Sequence, residues 1–159
     1  MKIEKISFEN NIELLQSKSN STDIFFFPEN FDEVKGFSNF IYSESTIDIK
    51  KVFNANERSI SFLNDAKPLL RLRKSADWFG PTLFITFSTL TQNPELINVS
   101  LNLISNYLYD FFKGSVTHKN IKMDIIVENK EKKEYSKINY EGSIDGLKGI
   151  ERIIKELKK

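Results

Sequence analysis

Residues 94–114 read PELINVSLNLISNYLYDFFKG and carry the clearest secondary-structure signal in the chain. Asn93 followed by Pro94 is typical of a helix start, and Gly114 is typical of a helix stop. Apolar residues recur every three or four positions in between, at Ile97, Leu101, Ile104, Leu108 and Phe111. The stripe is widened by Leu96, Val99, Leu103, Tyr107 and Phe112. A stripe this broad predicts a long helix buried between layers.

The residues that follow this helix predict a β-hairpin. Two alternating runs, 121–128 and 135–140, are joined by a charged tip at 129–134. One face of the first run is apolar, with Ile121, Met123, Ile125 and Val127. The other face is marked by Lys122, Asp124 and Glu128, which predicts that these three side chains lie in solvent. We expect the apolar face to pack on the long helix.

Further strands are predicted at 2–8, 24–27, 59–63 and 70–73. Residues 82–90 fit either a buried strand or a buried helix. In 29–58, apolar residues fall at helical spacing from Phe31 to Ile41, although Gly36 argues against a helix there. Gly142 and Ser143 precede a C-terminal helix with an apolar stripe at Leu147, Ile150, Ile154 and Leu157. The predicted fold class is α+β: a mainly antiparallel sheet with a long buried helix and the C-terminal helix packed on it.

Composition predicts one intracellular domain. The chain has 159 residues, 40% of them hydrophobic and 28% charged, which suits a single domain over residues 1–159. There is no cysteine, which favours a reducing compartment. Residues 1–6 lack the apolar core of a signal peptide, and polar residues at 86–95 interrupt the longest apolar run. We therefore expect a cytoplasmic protein with no membrane partner.

Most catalytic and cofactor motifs are absent from the sequence. The absence of cysteine excludes a thiolate metal site, and the single histidine, His118, excludes a two-histidine metal site. A polar loop role is favoured for His118 over that of a general base. Gly142, Gly146 and Gly149 do not match a nucleotide-binding spacing. We expect no cofactor and no metal, and the residues favour a non-catalytic role over an enzymatic one.

Two clusters nevertheless suggest chemistry. Asp124, Glu128 and Lys130 are similar in kind to the acidic pair and lysine of Mg²⁺-dependent nucleases, although an ordinary solvated strand face is the favoured interpretation of them. A basic cluster, Lys67, Arg71, Arg73 and Lys74, stands close to Trp78 and suits phosphate contacts and base stacking. A solvated strand face, or ion pairs with the acidic N-terminal segment, is the favoured structural interpretation of this cluster.

The aromatic content favours a protein–protein interaction module over these alternatives. The chain contains 14 Phe, 5 Tyr and 1 Trp, and aromatic side chains dominate both cores and interfaces. We therefore predict a non-catalytic protein–protein interaction or regulatory module, with Lys67, Arg71, Arg73, Lys74 and Trp78 as the partner-binding residues. The partner is another protein or a second copy of this chain. Two alternatives stay open: a nucleic-acid-binding protein that uses residues 67–74, and a metal-dependent phosphodiesterase that uses Asp124, Glu128 and Lys130.

Overall fold

A computed structural model describes residues 1–36, 39–114, 120–130 and 134–157, without the side chain of Lys130. Its elements in chain order are β1 (Lys2–Ile6), α1 (Ile12–Lys18), β2 (Ile24–Phe27), β3 (Ile41–Ser43), α2 (Ser45–Ala55), β4 (Ser61–Phe62), β5 (Leu69–Arg71), β6 (Trp78–Phe79), β7 (Thr82–Ile85), α3 (Phe87–Gln92), α4 (Glu95–Phe111), β8 (Ile121–Lys130), β9 (Glu134–Gly142), α5 (Ile144–Lys148) and α6 (Ile150–Glu156). Helices and strands both occur throughout, so the mixed α and β content is confirmed. The sequence did not predict α1.

The main sheet has the strand order β1-β9-β8-β7-β2-β4, and β6 also pairs with β8. Its antiparallel pairs are β1 with β9, β9 with β8, and β7 with β2, whereas β8 with β7, β8 with β6, and β2 with β4 are parallel. The sheet is mixed, and the prediction of a mainly antiparallel sheet is wrong. The reason is the connection between β7 and β8: the chain crosses through α3 and α4 and therefore returns in the same direction.

Helix α4 buries one side and leaves the other in solvent. Its buried residues are Ile97, Ser100, Leu101, Ile104, Ser105 and Leu108. It packs against α2, α5 and α6. Phe111, predicted to be part of the buried stripe, is 56% exposed. Pro94 takes the N-cap position because Asn93 closes α3, and Gly114 follows the helix with a φ of 80°. The helix is therefore buried along a stripe and open at its C-terminal end.

The segment 82–90 is a strand followed by a helix. Strand β7 ends before Thr86, whose side chain accepts a hydrogen bond from the Thr89 amide and starts α3. This N-cap explains why no single periodicity fits the segment, since it changes from strand to helix part-way along.

A helix from Phe31 to Ile41, which the apolar spacing suggested and Gly36 argued against, is absent from the described residues of that segment, and Phe37 lies outside them. Turns and β3 replace it. The side chain of Asn30 donates to the Asn39 carbonyl and accepts from the Ile41 amide. These bonds fold the chain back locally, because an asparagine side chain competes with helical backbone bonding.

The hairpin is confirmed as β8 and β9, with an irregularity in register between Glu128 and Lys130. The C-terminal helix is observed as α5 and α6, with the Ser143 hydroxyl accepting from the Gly146 amide at 3.1 Å. The buried apolar side chains form one cluster that includes Phe26, Phe84 and Ile125. Within the described ranges, no helix has the length and apolarity that crossing a bilayer requires.

Candidate functional site

A cavity of about 570 Å³ lies between the start of α2, the end of α4 and the segment 73–79. Its lining residues are Ser43, Glu44, Ser45, Asp48, Arg73, Ser75, Ala76, Asp77, Trp78, Phe79, Tyr107, Phe111 and Phe112. This volume is in the range of cavities that hold a small molecule or a few side chains of a partner. The cavity is therefore the first candidate for a binding site.

One wall of the cavity is aromatic. Trp78 is only 8% exposed, and its amide donates to the Asn120 carbonyl at 3.0 Å, beside β8. The ring centroid of Tyr107 lies 6.4 Å from that of Trp78, and Tyr107 stacks on Phe111 at 5.6 Å. The wall thus runs from a buried indole to an exposed phenyl ring at the mouth.

The floor of the cavity is fixed by two serine hydroxyls. Ser43 and Ser45, on either side of the junction between β3 and α2, both donate to the Phe79 carbonyl, at 2.9 and 2.7 Å. Because Phe79 is in β6, these bonds attach the two-stranded sheet of β3 and β5 to the main sheet. The position of α2 relative to the aromatic wall follows from this attachment.

Gly80 allows Trp78 to occupy this position. A Cβ atom at residue 80 would lie 2.6 Å from Cζ3 of Trp78 and 3.2 Å from Cγ of Met123. We expect Gly80→Ala to displace the indole and to lower the free energy of unfolding by about 1–3 kcal/mol, as overpacking does. Since Trp78 is the single tryptophan, its fluorescence emission maximum should move to longer wavelength.

The matched control for this change is Gly149→Ala. Its Cβ would meet only the Gly146 carbonyl, at 3.4 Å, and residue 149 has a right-handed helical conformation. We expect this variant to keep the parent emission spectrum and a melting temperature at least as high. If Gly80→Ala also kept the parent spectrum, Trp78 would not be held as described.

Two of the cavity's charged residues are paired within the protein. The Arg73 guanidinium lies 4.5 Å from the ring centroid of Phe79 and 2.8 Å from Glu29 Oε1. Asp77 pairs with the Lys122 ammonium at 3.2 Å, and that ammonium lies 5.5 Å from the same Phe79 ring. Each cation beside Phe79 is thus matched by a carboxylate.

Glu44 and Asp48 differ from these pairs. Both side chains are exposed, and within the described ranges no lysine or arginine nitrogen lies within 4.0 Å of either carboxylate. The Tyr107 hydroxyl donates to Asp48 at 3.4 Å. Burial, reinforced by the Asp48 charge, raises the pKa of Tyr107 to about 12, so this hydroxyl keeps its proton at neutral pH. The carboxylates of Glu44 and Asp48 are therefore not ion-paired within the described part of the chain.

No protein-family model, curated protein or solved structure matches this chain. Its function is therefore inferred from the walls and the charges of the cavity.

The structure brings two of the five predicted partner-binding residues to the cavity. Arg73 and Trp78 both line it. Arg71 does not, and its guanidinium lies 3.3 Å from Glu29 Oε2. Lys67 and Lys74 are exposed outside the lining. Both arginines are thus engaged by one carboxylate of the N-terminal segment, in line with the structural alternative for this cluster.

Asp124 and Glu128, two of the nuclease-like residues, have different partners within the protein. Asp124 pairs with Lys137 at 3.7 Å and accepts from the Asn139 amide at 2.7 Å. Within the described residues, no three histidine or acidic side chains are grouped so that they could hold a metal ion. The side chain of Lys130 and the whole of His118 lie outside the described residues.

Glu128 is fully buried, so its predicted place on the solvent face is wrong. Its carboxylate accepts from the Phe87 amide and from the Ser19 hydroxyl, both at 3.0 Å. The irregularity after Glu128 and the first amide of α3 explain the difference, because a helix start needs acceptors for its free amides. Burial, followed by the charge of Glu128, raises the pKa of Tyr135 to about 12.

The acidic and aromatic residues that complete the cavity were not predicted from the sequence. Tyr107 and Phe111 were assigned to the buried stripe of α4, and Glu44 and Asp48 fell in a segment without a clear prediction. The one available signal was the spacing of four between Tyr107 and Phe111, which stacks side chains on a helix. That spacing does not reveal whether the stack faces the core or a cavity.

Proposed function

We propose that this protein is a non-catalytic interaction module, and that its cavity binds a segment of a partner protein. The observation that carries the proposal is the aromatic wall, which continues from the buried Trp78 through Tyr107 to the exposed Phe111. Tryptophan, tyrosine and other large side chains in a pocket are the usual energetic centre of a protein interface. A partner that covers the exposed phenyl ring removes its apolar surface from water, and this contributes to the free energy of binding.

Exposed leucines extend this surface along the chain. Leu69, Leu70 and Leu72 are 47%, 39% and 76% exposed, and Leu72 directly precedes the cavity residue Arg73. Exposed apolar side chains next to an aromatic cavity suit an extended peptide better than a small polar metabolite.

The charges favour a protein partner over a nucleic acid. Arg71 and Arg73 share Glu29, which reduces the positive charge that a phosphate would meet. Glu44 and Asp48 line the cavity and would repel a phosphate backbone. Lys67 and Lys74 alone make a small footprint for a polyanion.

The contacts around Asp124 and Glu128 support a non-catalytic role. Asp124 is engaged by Lys137 and Asn139, and Glu128 by Ser19 and the Phe87 amide. A shared Mg²⁺ would require both carboxylates to leave these partners, and Glu128 would also have to leave the core.

Selection of peptides from a random library displayed on phage tests the proposal. We expect the recovered peptides to quench the fluorescence of Trp78 on binding. We expect Phe111→Ser to weaken their binding by about tenfold or more, as loss of an interface centre does. Isothermal titration calorimetry measures both dissociation constants.

Tyr109→Ser is the matched control. Tyr109 is on the same helix and 42% exposed, but it does not line the cavity. Its loss should leave peptide affinity unchanged. The proposal fails if no peptide is recovered, or if Phe111→Ser and Tyr109→Ser bind the peptides equally well. Salt-dependent binding of a single-stranded oligonucleotide that Lys67→Ser and Lys74→Ser abolish would favour the nucleic-acid alternative instead.

A further inference from the structure

Two cations of the protein lie over the ring of Phe79, which lines the cavity. The Arg73 guanidinium and the Lys122 ammonium both lie near the Phe79 ring, at 4.5 and 5.5 Å from its centroid. A carboxylate, that of Glu29 or Asp77, pairs with each of them. Attraction to the negative face of an aromatic ring together with an ion pair is a stable setting for a cation in a protein.

The cavity repeats two parts of this arrangement and lacks the third. Tyr107 and Phe111 supply stacked rings, and Glu44 and Asp48 supply carboxylates in the same lining, where Asp48 accepts a hydrogen bond from the Tyr107 hydroxyl at 3.4 Å. Within the described part of the chain, no cation lies over either ring. The rings and the carboxylates thus line the same cavity of about 570 Å³. Arg73 is the one basic residue among the described lining residues, and it is paired with Glu29.

The start of α2 does not make the cavity a site for an anion. Helix N-termini attract negative charge, but Glu44 is at the N-cap of α2 and Asp48 is in its first turn. The two carboxylates already complement the helix dipole. The nearby hydroxyls of Ser43 and Ser45 donate to the Phe79 carbonyl instead of facing a ligand.

We propose that the partner segment places a basic side chain, arginine or lysine, in this cavity, against the rings of Tyr107 and Phe111 and close to the carboxylates of Glu44 and Asp48. The inference rests on the proposed function and adds the charge of the ligand to it. Arginine suits the site best, because its planar guanidinium stacks on aromatic faces and pairs with carboxylates at the same time.

Two small probes of nearly equal shape test the charge directly. N-acetyl-arginine methylamide carries the guanidinium, and N-acetyl-citrulline methylamide replaces it with a neutral urea. Binding is followed by nuclear magnetic resonance on the single indole N–H signal of Trp78. We expect the arginine probe to bind at least about fivefold more tightly than the citrulline probe, and the lysine analogue to bind between the two.

Variants of the cavity test the residues. Glu44→Gln with Asp48→Asn should remove the preference for arginine over citrulline. The matched control is Glu13→Gln with Glu95→Gln, which removes the same charge from exposed first-turn positions of α1 and α4, outside the cavity. This control should keep the preference. Raising the salt concentration should weaken the binding of the arginine probe more than the binding of the citrulline probe.

The inference and the proposed function fail in different ways. Three results would overturn the inference that the cavity binds a basic side chain: equal shifts with both probes, no shift with either probe, or a preference for arginine over citrulline that survives Glu44→Gln with Asp48→Asn. In each of these cases, peptides that depend on Phe111 but contain no basic residue would leave the interaction module standing. The absence of any Phe111-dependent peptide would instead overturn the module itself.

Discussion

Ile104→Asp should unfold the protein. Ile104 is fully buried in α4, on the stripe that packs toward α2, α5 and α6. The change removes an apolar side chain and places a carboxylate where it has no water, a combination that costs about 5 kcal/mol or more. The whole stability of a domain is commonly about 5–15 kcal/mol. Circular dichroism during thermal unfolding measures the loss.

Asn106→Asp is the control for this variant. It introduces the same carboxylate two residues further along α4, at an exposed position. We expect its melting temperature to stay within a few degrees of the parent, since surface changes usually cost under about 0.5 kcal/mol. If both variants melted together with the parent, the stripe of α4 would not be buried, and the position of α4 between the other helices would be incorrect.

Glu128→Met should lower the free energy of unfolding strongly, although less than Ile104→Asp does. Methionine keeps the volume of the side chain but removes the acceptor of the Phe87 amide at the start of α3 and of the Ser19 hydroxyl. Leaving buried donors without an acceptor costs about 1–3 kcal/mol each, so we expect a loss of about 2–5 kcal/mol. Chemical denaturation measures it.

Ser19→Ala provides the comparison, because it removes one of these donors and leaves the carboxylate in place. Its loss should be about 1 kcal/mol and clearly smaller than that of Glu128→Met. A Glu128→Met protein as stable as the parent would mean that the cost of burying this charge equals the gain from its hydrogen bonds.

The elements predicted well from the sequence are those whose pattern is complete within a short stretch. Helix α4 has a regular apolar stripe and a stop at Gly114, and the hairpin of β8 and β9 has alternation on both sides of a polar tip. Helix α2 lacks such a signal: its start alternates Ile47, Asp48 and Ile49 as a strand would, and β-branched residues have low helix propensity.

Strand direction could not be predicted, because it is not a local property. The parallel pairing of β7 with β8 depends on where α3 and α4 return the chain. The burial of Glu128 has the same origin, since its partners Ser19 and Phe87 are 109 and 41 residues away in the sequence. Alternation within β8 indicates only which side chains share a face.

The candidate site could be predicted in part. Arg73 and Trp78 are predicted to bind a partner because a basic cluster stands close to aromatic residues in the sequence, and both residues line the cavity. The other wall comes from α2 and from the end of α4, which meet it only through tertiary packing. Helical periodicity places Tyr107 and Phe111 on one stripe with Ile104, and nothing in the sequence separates the part of the stripe that faces the core from the part that faces the cavity.

The attachment of β6 to β8 has an entropic consequence. The amides of Trp78 and Gly80 donate to the carbonyls of Asn120 and Lys122, so the backbone behind the indole belongs to the ladder of the main sheet. The conformational freedom of that backbone is therefore lost when the chain folds, not when a ligand arrives. A rigid wall of this kind lowers the ordering cost of association, and most of the remaining cost falls on the incoming segment.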